Sequence, residues 1–277
     1  MAQARELGIG DSLGPYRIDA VLGEGAMGVV YRAAGADGRA VALKVLRAEL
    51  AGDPVYERRF LHEARAAAEI RHRHLVPVLD AGEADGHHYL AVAYVAGRSL
   101  ADRIEADGPL GLDELLRLAS ELGSGLDALH EHGLVHRDVK PDNILLDETG
   151  STALTDFGLA KGPAYTVLTR AGQAVGTLDY MAPELIRGTE ASPASDLYAL
   201  GCVVFECIVG RPPFADRSLF EVGSAHLAEQ PPDPLESRPD LPAGLSWAVL
   251  QALAKEPSDR PRTATMYAHM LRLAAKG

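Results

Sequence analysis

Apolar positions alternate with polar ones in short runs along the first third of the chain, and further on they change to helical spacing. Between Tyr16 and Val45 the runs "YRIDAVL", "VVYRAA" and "AVALKVL" are rich in β-branched and aromatic residues and are parted by glycine-bearing turns. "ADG" at Ala36 to Gly38 supplies an Asp-Gly hairpin signal, so an antiparallel meander is expected. A helix should come next, because Asp53 can cap it, Pro54 suits its first position, and Phe60, Ala64 and Ala67 recur on one face. Two more strand patterns, near "LVPVLDAG" and "HHYLAVAYV", complete a unit of five strands and one helix ending near Val95.

After Gly97 the pattern becomes mostly helical. Leu115, Leu118, Leu122, Leu126 and Leu129 step by three and four residues, and Gly133 closes that helix. A second apolar helix is expected from Asp196 to Gly210, and "DRPRTATMYAHMLRLAA" reads as a final helix opened by Pro261. The boundary between the β-rich and α-rich parts falls around Tyr94 to Gly97.

Composition narrows the classes. A net charge of −12 argues against general affinity for nucleic-acid phosphates. No stretch reaches the roughly 18 to 20 consecutive apolar residues of a membrane span, and "MAQARELGIGDS" lacks a signal peptide's apolar run. The chain as given is therefore expected in the cytoplasm. Cys202 and Cys207, five apart in an apolar run, read as buried reduced thiols.

The stretch "LGEGAMGVVYR" carries G-x-G-x-x-G at Gly23, Gly25 and Gly28, a spacing that serves dinucleotides and nucleoside triphosphates alike. A dinucleotide fingerprint needs the turn to open a helix, whereas "GVVYRA" reads as a strand. A Walker loop needs a subsequent Gly-Lys-Ser/Thr, which is missing. The chain continues instead into "VALK", which places Lys44 on the strand beyond the hairpin, within reach of phosphates under the loop.

"HRDVKPDN" at His136 to Asn143, "DFG" at Asp156 to Gly158 and "APE" at Ala182 to Glu184 come next, in that order. With these motifs the chain, from Tyr16 to about Leu273, resembles the eukaryotic-like protein kinases, above all bacterial serine/threonine kinases. The resemblance implies an α+β, bilobal protein kinase fold: a tail over residues 1–13, a small five-stranded antiparallel lobe with one key helix over 14–95, and a larger mainly α-helical lobe over 96–277. It implies transfer of the γ-phosphate of ATP to Ser/Thr hydroxyls of protein substrates, with Mg²⁺, or Mn²⁺ in its place. The alternative is a pseudokinase that only binds nucleotide or acts as a scaffold.

By the same resemblance, Leu22, Gly23, Gly25, Gly28, Val30, Ala42, Val92, Ala93, Val95 and Leu145 line the ATP site. Lys44 contacts the phosphates and pairs with Glu63, which shares a helix face with Phe60 and Ala67. Asp138 is the expected base, Lys140 contacts the transferred phosphate, and Asn143 and Asp156 hold the metal. His136 is expected to pack beneath the loop rather than act as acid or base. Arg137 would receive a phosphate on the activation segment, with Thr169 favoured as the site and Thr166 second. Thr177 would form the substrate floor. Glu184 and Arg260 should form a buried ion pair, and Asp196 should brace the catalytic loop and cap its own helix.

Two departures stand out. Ala93 replaces the hinge's usual acidic residue, and Pro15 replaces an arginine through which relatives pair by the back of the small lobe. Dimerisation by that route is in doubt, although self-association for phosphorylation in trans stays open. The chain reads as a soluble enzyme or as the cytoplasmic domain of a membrane-anchored receptor.

Overall fold

The computed structural model describes residues 7–25, 28–47, 54–156 and 178–276. The chain divides into two compact units, one of residues 1–72 and 76–96 and one of residues 73–75 and 97–277.

In the first unit the strands are β1 (Ser12–Leu13), β2 (Tyr16–Gly25), β3 (Gly28–Ala34), β4 (Ala40–Leu46), β5 (Val78–Ala84) and β6 (His87–Ala93), and helix α1 spans Pro54–Glu69. They form an antiparallel sheet in the order β1-β2-β3-β4-β6-β5. The sheet has six strands where the sequence pattern gives five, because Ser12–Leu13 pairs with the start of β2. Two residues are too short a run to show alternation. At the predicted turn, Gly38 adopts a φ of 77° and Asp37 Oδ1 accepts the Arg39 N–H at 3.0 Å.

Alternation along these strands sends Ile18, Tyr31, Ala33, Val41, Leu43, Val45, Tyr89 and Ala91 to one buried face, closed by Leu13 and Tyr16. Tyr16 and Tyr89 meet edge to face at 5.6 Å, and both hydroxyls donate to Asp80 Oδ2, at 3.1 and 2.9 Å. Since Tyr16 opens β2 and Asp80 lies on the far edge strand β5, these bonds curl the sheet around its core.

The second unit contains a small sheet of β7 (Gly97–Ser99), β8 (Ile144–Asp147) and β9 (Thr152–Leu154), in that order. Its helices are α2 (Leu100–Asp107), α3 (Leu112–Glu131), α4 (Pro183–Ile186), α5 (Pro193–Val209), α6 (Leu219–Ala228), α7 (Gly244–Ala252) and α8 (Ala264–Ala274). All five leucines predicted for the α3 stripe are buried. Helix α5 is apolar nearly all round and is buried accordingly.

Two predicted helix starts are displaced. Helix α5 begins at Pro193, not Asp196, because Ser192 and Ser195 form a reciprocal cap ahead of it. Helix α8 begins at Ala264 rather than Pro261: Thr263 accepts the Met266 N–H, and Asp127 of α3 accepts those of Ala264 and Thr265 at 2.8 and 2.9 Å. The predicted cap Asp53 lies outside the described residues.

Candidate active site

Within the first unit, strand pairing sets Gly23 opposite Val30, Val30 opposite Lys44 and Lys44 opposite Leu90, while Ala42 stands opposite Arg32 and Val92. Opposed residues share a face, so Val30, Ala42, Lys44 and Val92 gather on the face turned away from Tyr31, Leu43 and Ala91. Lys44 is half-buried there, and Glu63 is half-buried on α1 beside buried Phe60, Ala64 and Ala67. Leu22, at the loop's entry, is exposed. The Ala93 N–H donates to Pro77 O at 2.9 Å, which leaves its carbonyl as the polar group for a ligand.

The three loop glycines differ. A Cβ at Gly23 or Gly25 would meet nothing within 4 Å, whereas one at Gly28 would lie 1.9 Å from the Val45 carbonyl oxygen. The first two are open to a ligand's approach. The third is a packing glycine, required where β3 presses on β4. Arg47, which carries no motif in the sequence, donates to the Gly25 carbonyl and pairs with Glu24 at 2.9 Å, tying the loop to the end of β4.

In the second unit, the segment from His136 to Asn143 is fixed from below by Asp196. Its carboxylate accepts the backbone N–H of His136 at 2.7 Å and of Arg137 at 2.8 Å, and contacts His130 Nε2 at 2.8 Å. Asp196 lies within the first turn of α5, so it braces this backbone while Ser192 does the capping that was expected of it. Arg137 sits at a φ of 64°, a left-handed conformation uncommon for a side-chain-bearing residue. The Asp196 bond to its N–H helps to hold that conformation.

His136 is fully buried. Its Nδ1 accepts the Asp138 N–H at 3.3 Å, so Nε2 carries the proton and donates to Thr155 O at 3.1 Å. Burial pushes its pKa down against the opposing pull of Asp196, Asp138 and the Thr155 carbonyl, and the ring stays neutral. It is thus a packing and hydrogen-bonding residue.

Asn143 Nδ2 donates to the Asp138 carbonyl at 2.8 Å and to Asp138 Oδ2 at 3.0 Å. With Nδ2 committed, Oδ1 is the amide atom left for a cation. The Thr155 N–H donates to the Asn143 carbonyl at 3.0 Å, and the next residue, Asp156, has a φ of 57°. One amide oxygen and one carboxylate therefore come from adjoining segments, a donor set of the hard-oxygen kind that suits Mg²⁺. Lys140 is half-buried in the same loop, and Leu145 is half-buried on β8.

Beyond the loop, Arg260 and Glu184 form a buried two-pronged pair at 2.7 and 2.8 Å, and the Ser195 hydroxyl donates to Glu184 at 2.9 Å. Arg260 also donates to the carbonyls of Ala254, Ala194 and Lys255 and stacks over the Tyr198 ring at 4.9 Å. Burial alone would push Glu184 up, but the hydrogen bonds and charge of Arg260 hold it below the usual carboxylate range. Cys202 and Cys207 are buried and free, and burial pushes both thiols up. Thr166, Thr169 and Thr177 lie outside the described residues, as do the Phe and Gly of "DFG".

His130, Ser195 and Arg47 are the site-supporting residues that sequence reasoning missed. The first two act through partners about 66 and 11 positions away, and no local spacing announces such pairings.

Within one chain, a sheet unit carries a glycine loop and a facing lysine, and a helical unit carries a braced Asp-Asn loop, the parts that protein kinases use. The protein kinase domain family matches residues 16–271, and the chain belongs to that family. It is 40% identical over 260 residues to the serine/threonine-protein kinase PknE of Mycobacterium tuberculosis, covering 94% of this chain and 45% of that protein. It is 38% identical to PrkC of Bacillus subtilis, covering 91% of this chain and 39% of PrkC. The chain thus spans less than half the length of these relatives. The crystal structure of the Mycobacterium tuberculosis PknI kinase domain superimposes with a TM-score of 0.79 at 33% identity, over 98% of this chain and all of that one. Among the described residues no helix is long and apolar enough to cross a membrane.

Proposed function

We propose that the protein is a serine/threonine protein kinase that moves the γ-phosphate of ATP to the hydroxyl of a protein substrate, with Mg²⁺ as its metal. The arrangement of Asp138 carries this reading: its backbone is fixed through His136 and Asp196, and its carboxylate is oriented by Asn143. Family membership and the names of the relatives support it.

On this reading Asp138 orients the substrate hydroxyl and takes its proton as the oxygen attacks phosphorus, while Lys140 contacts the phosphoryl group in flight. Asn143 Oδ1 and Asp156 would hold the cation, which when bound neutralises phosphate charge. Lys44, oriented by Glu63, would meet the α- and β-phosphates. Gly23 and Gly25 would approach them from the loop, since both have open space at the Cβ position. Leu22, Val30, Ala42, Val92 and Leu145 would be apolar walls for adenine, with the Ala93 carbonyl and the backbone of Val95 as its polar contacts. Gly28, whose missing Cβ lets β3 pack on β4, would complete the loop over the phosphates, and Arg137 would receive a phosphate on Thr169 or Thr166 once the segment is modified.

Labelled ATP with Mg²⁺ and a generic basic protein tests this. Phosphate should appear on serine or threonine and disappear in Asp138→Asn, which keeps the loop's shape. Nucleotide binding without transfer by the unaltered chain would instead make it a pseudokinase scaffold.

A further inference from the structure

Helix α5 carries a half-buried carboxylate that no step of phosphoryl transfer uses. Glu206 lies one residue before Cys207 on that helix, and the Tyr180 hydroxyl donates to its Oε2. Tyr180 belongs to the turn Leu178–Tyr180, which packs on α5 and α6. The same Tyr180, with Met181, lines a cavity of about 20 Å³ that is also lined by Arg137, Asp138 and Val139. One hydrogen bond thus connects a half-buried acid to a cavity that the proposed base also lines.

The surroundings of Glu206 oppose its charge. Burial is the largest influence and pushes it up to about 7, helped by Asp142 and Asp179, while the Tyr180 hydrogen bond pulls the other way. Asp179 and Tyr180 face it from the turn, Asp142 from the 3₁₀ turn Pro141–Asn143, and Cys202 and Cys207 from its own helix. Cys207 also feels Glu114 of α3 and Arg103 of α2. Burial keeps the Tyr180 hydroxyl and both thiols protonated through neutral pH, whereas Glu206 changes charge there. Because the Tyr180 bond favours ionised Glu206, ionised Glu206 must favour the bond by the same factor.

We propose that Tyr180 and Glu206 form a proton-gated latch on the turn beside Asp138: ionised Glu206 holds Tyr180, and protonation loosens it. The latch requires only this hydrogen bond and this burial, and its effect on substrate rests on the kinase reading. Ionised Glu206 fixes the turn and the wall of the cavity; protonated Glu206 offers a neutral, weaker acceptor, and the turn is freed toward acid.

The test is carbon-13 NMR of the full chain with labelled glutamate carboxyls and tyrosine rings, with Glu206→Gln identifying the Glu206 signal. Glu206 should titrate between pH 6 and 8, the Tyr180 ring signal should change with the same midpoint, and Tyr180→Phe should move the Glu206 midpoint upward. A Glu206 signal flat over that range, a Tyr180 signal that ignores it, or an unmoved midpoint in Tyr180→Phe would each overturn the latch. In parallel, the KM for a Ser/Thr peptide without charged or histidine residues should rise from pH 8 to pH 6 in the unaltered chain and stay flat in Glu206→Gln. A KM that changes identically in both proteins also overturns it. Coupled titration in a chain that transfers no phosphate would uphold the latch while refuting the kinase reading.

Discussion

At the scale of single residues, the Glu184–Arg260 pair shows how a buried charge can be indispensable without being a source of surplus stability. Arg260 satisfies Glu184 and three backbone carbonyls at once, so removing its side chain strands an anion and several acceptors in the interior. Arg260→Ala should lose about 3–5 kcal/mol in urea unfolding at pH 7, whereas Glu184→Gln, which keeps shape and acceptor, should lose less. The sign with pH comes from the depressed carboxyl: its contribution is present above the unfolded carboxylate range and lost as pH falls through the folded value. The deficit of Arg260→Ala should therefore shrink in acid. A deficit equally large at pH 3 would place the loss in packing rather than charge. The sequence could suggest this pair only by resemblance, because a separation of 76 positions carries no spacing signal.

The glycine loop asks the same question of three residues with one spelling. Gly28→Ala must push β3 from β4, since its Cβ would sit 1.9 Å from the Val45 carbonyl oxygen, and should cost about 2 kcal/mol or more. Gly25→Ala meets open space and should stay within about 0.5 kcal/mol of the parent. Thermal unfolding separates the two, and ATP affinity should fall for Gly25→Ala at nearly unchanged stability. Equal stability of both variants would contradict the packing role given to Gly28.

At the scale of elements, the long strands of the first sheet and the longest helices were legible because periodicity is a local property. The α3 leucines and the β3–β4 hairpin come directly from spacing and turn chemistry. The boundaries were less so: α5 starts where Ser192 caps, and α8 starts where Asp127 of another helix supplies acceptors. A distant acceptor leaves no trace in the window around Pro261. Nor could any local pattern predict that a glutamate in the apolar run of α5 would face three polar neighbours.

That glutamate gives a prediction in stability. Held at about 7 against an ordinary value near 4.5, Glu206 keeps a proton in the folded chain that the unfolded chain releases, so it destabilises the fold increasingly as pH climbs through that window. Below the ordinary value both states are protonated and there is no penalty. Glu206→Gln should therefore match the parent near pH 4 and gain stability up to pH 7, levelling at about 3 kcal/mol in urea unfolding. A variant less stable than the parent at pH 8 would contradict this burial of charge.

At the scale of the whole molecule, the division of the chain does not keep to its order. Residues 73–75 lie in sequence between α1 and β5 of the first unit, yet they belong to the second. The His74 carbonyl accepts the Leu154 N–H at 2.9 Å, His74 Nδ1 donates to Thr152 O at 2.8 Å, and Leu75 bridges Leu154. Glu121 of α3 accepts both the N–H and the hydroxyl of Thr152. Gly125 of α3 leaves room for this crossing, because a Cβ there would stand 2.9 Å from the His74 carbonyl oxygen. From sequence, "RHRHLVPVLD" reads only as the approach to a strand. The tertiary partner that claims its middle lies nearly eighty positions on.

This crossing makes a claim about where a mutation is felt. Leu75 is 4% exposed, and Leu75→Ala should cost about 2–5 kcal/mol through lost burial and a residual cavity. If sequence position governed the effect, β5 and α1 would loosen. If the contacts govern it, the weakened amides should be Leu154 and its neighbours on β9, together with α3 around Gly125, while Tyr31, Leu43 and Ala91 in the sheet core keep their protection. Native-state hydrogen exchange of the full chain, compared with Leu75→Ala at equal pH and temperature, reads this residue by residue. Faster exchange confined to β9 and α3 supports the assignment of residues 73–75 to the second unit. Faster exchange centred on the first unit's sheet would return that segment to the neighbours it has in the sequence.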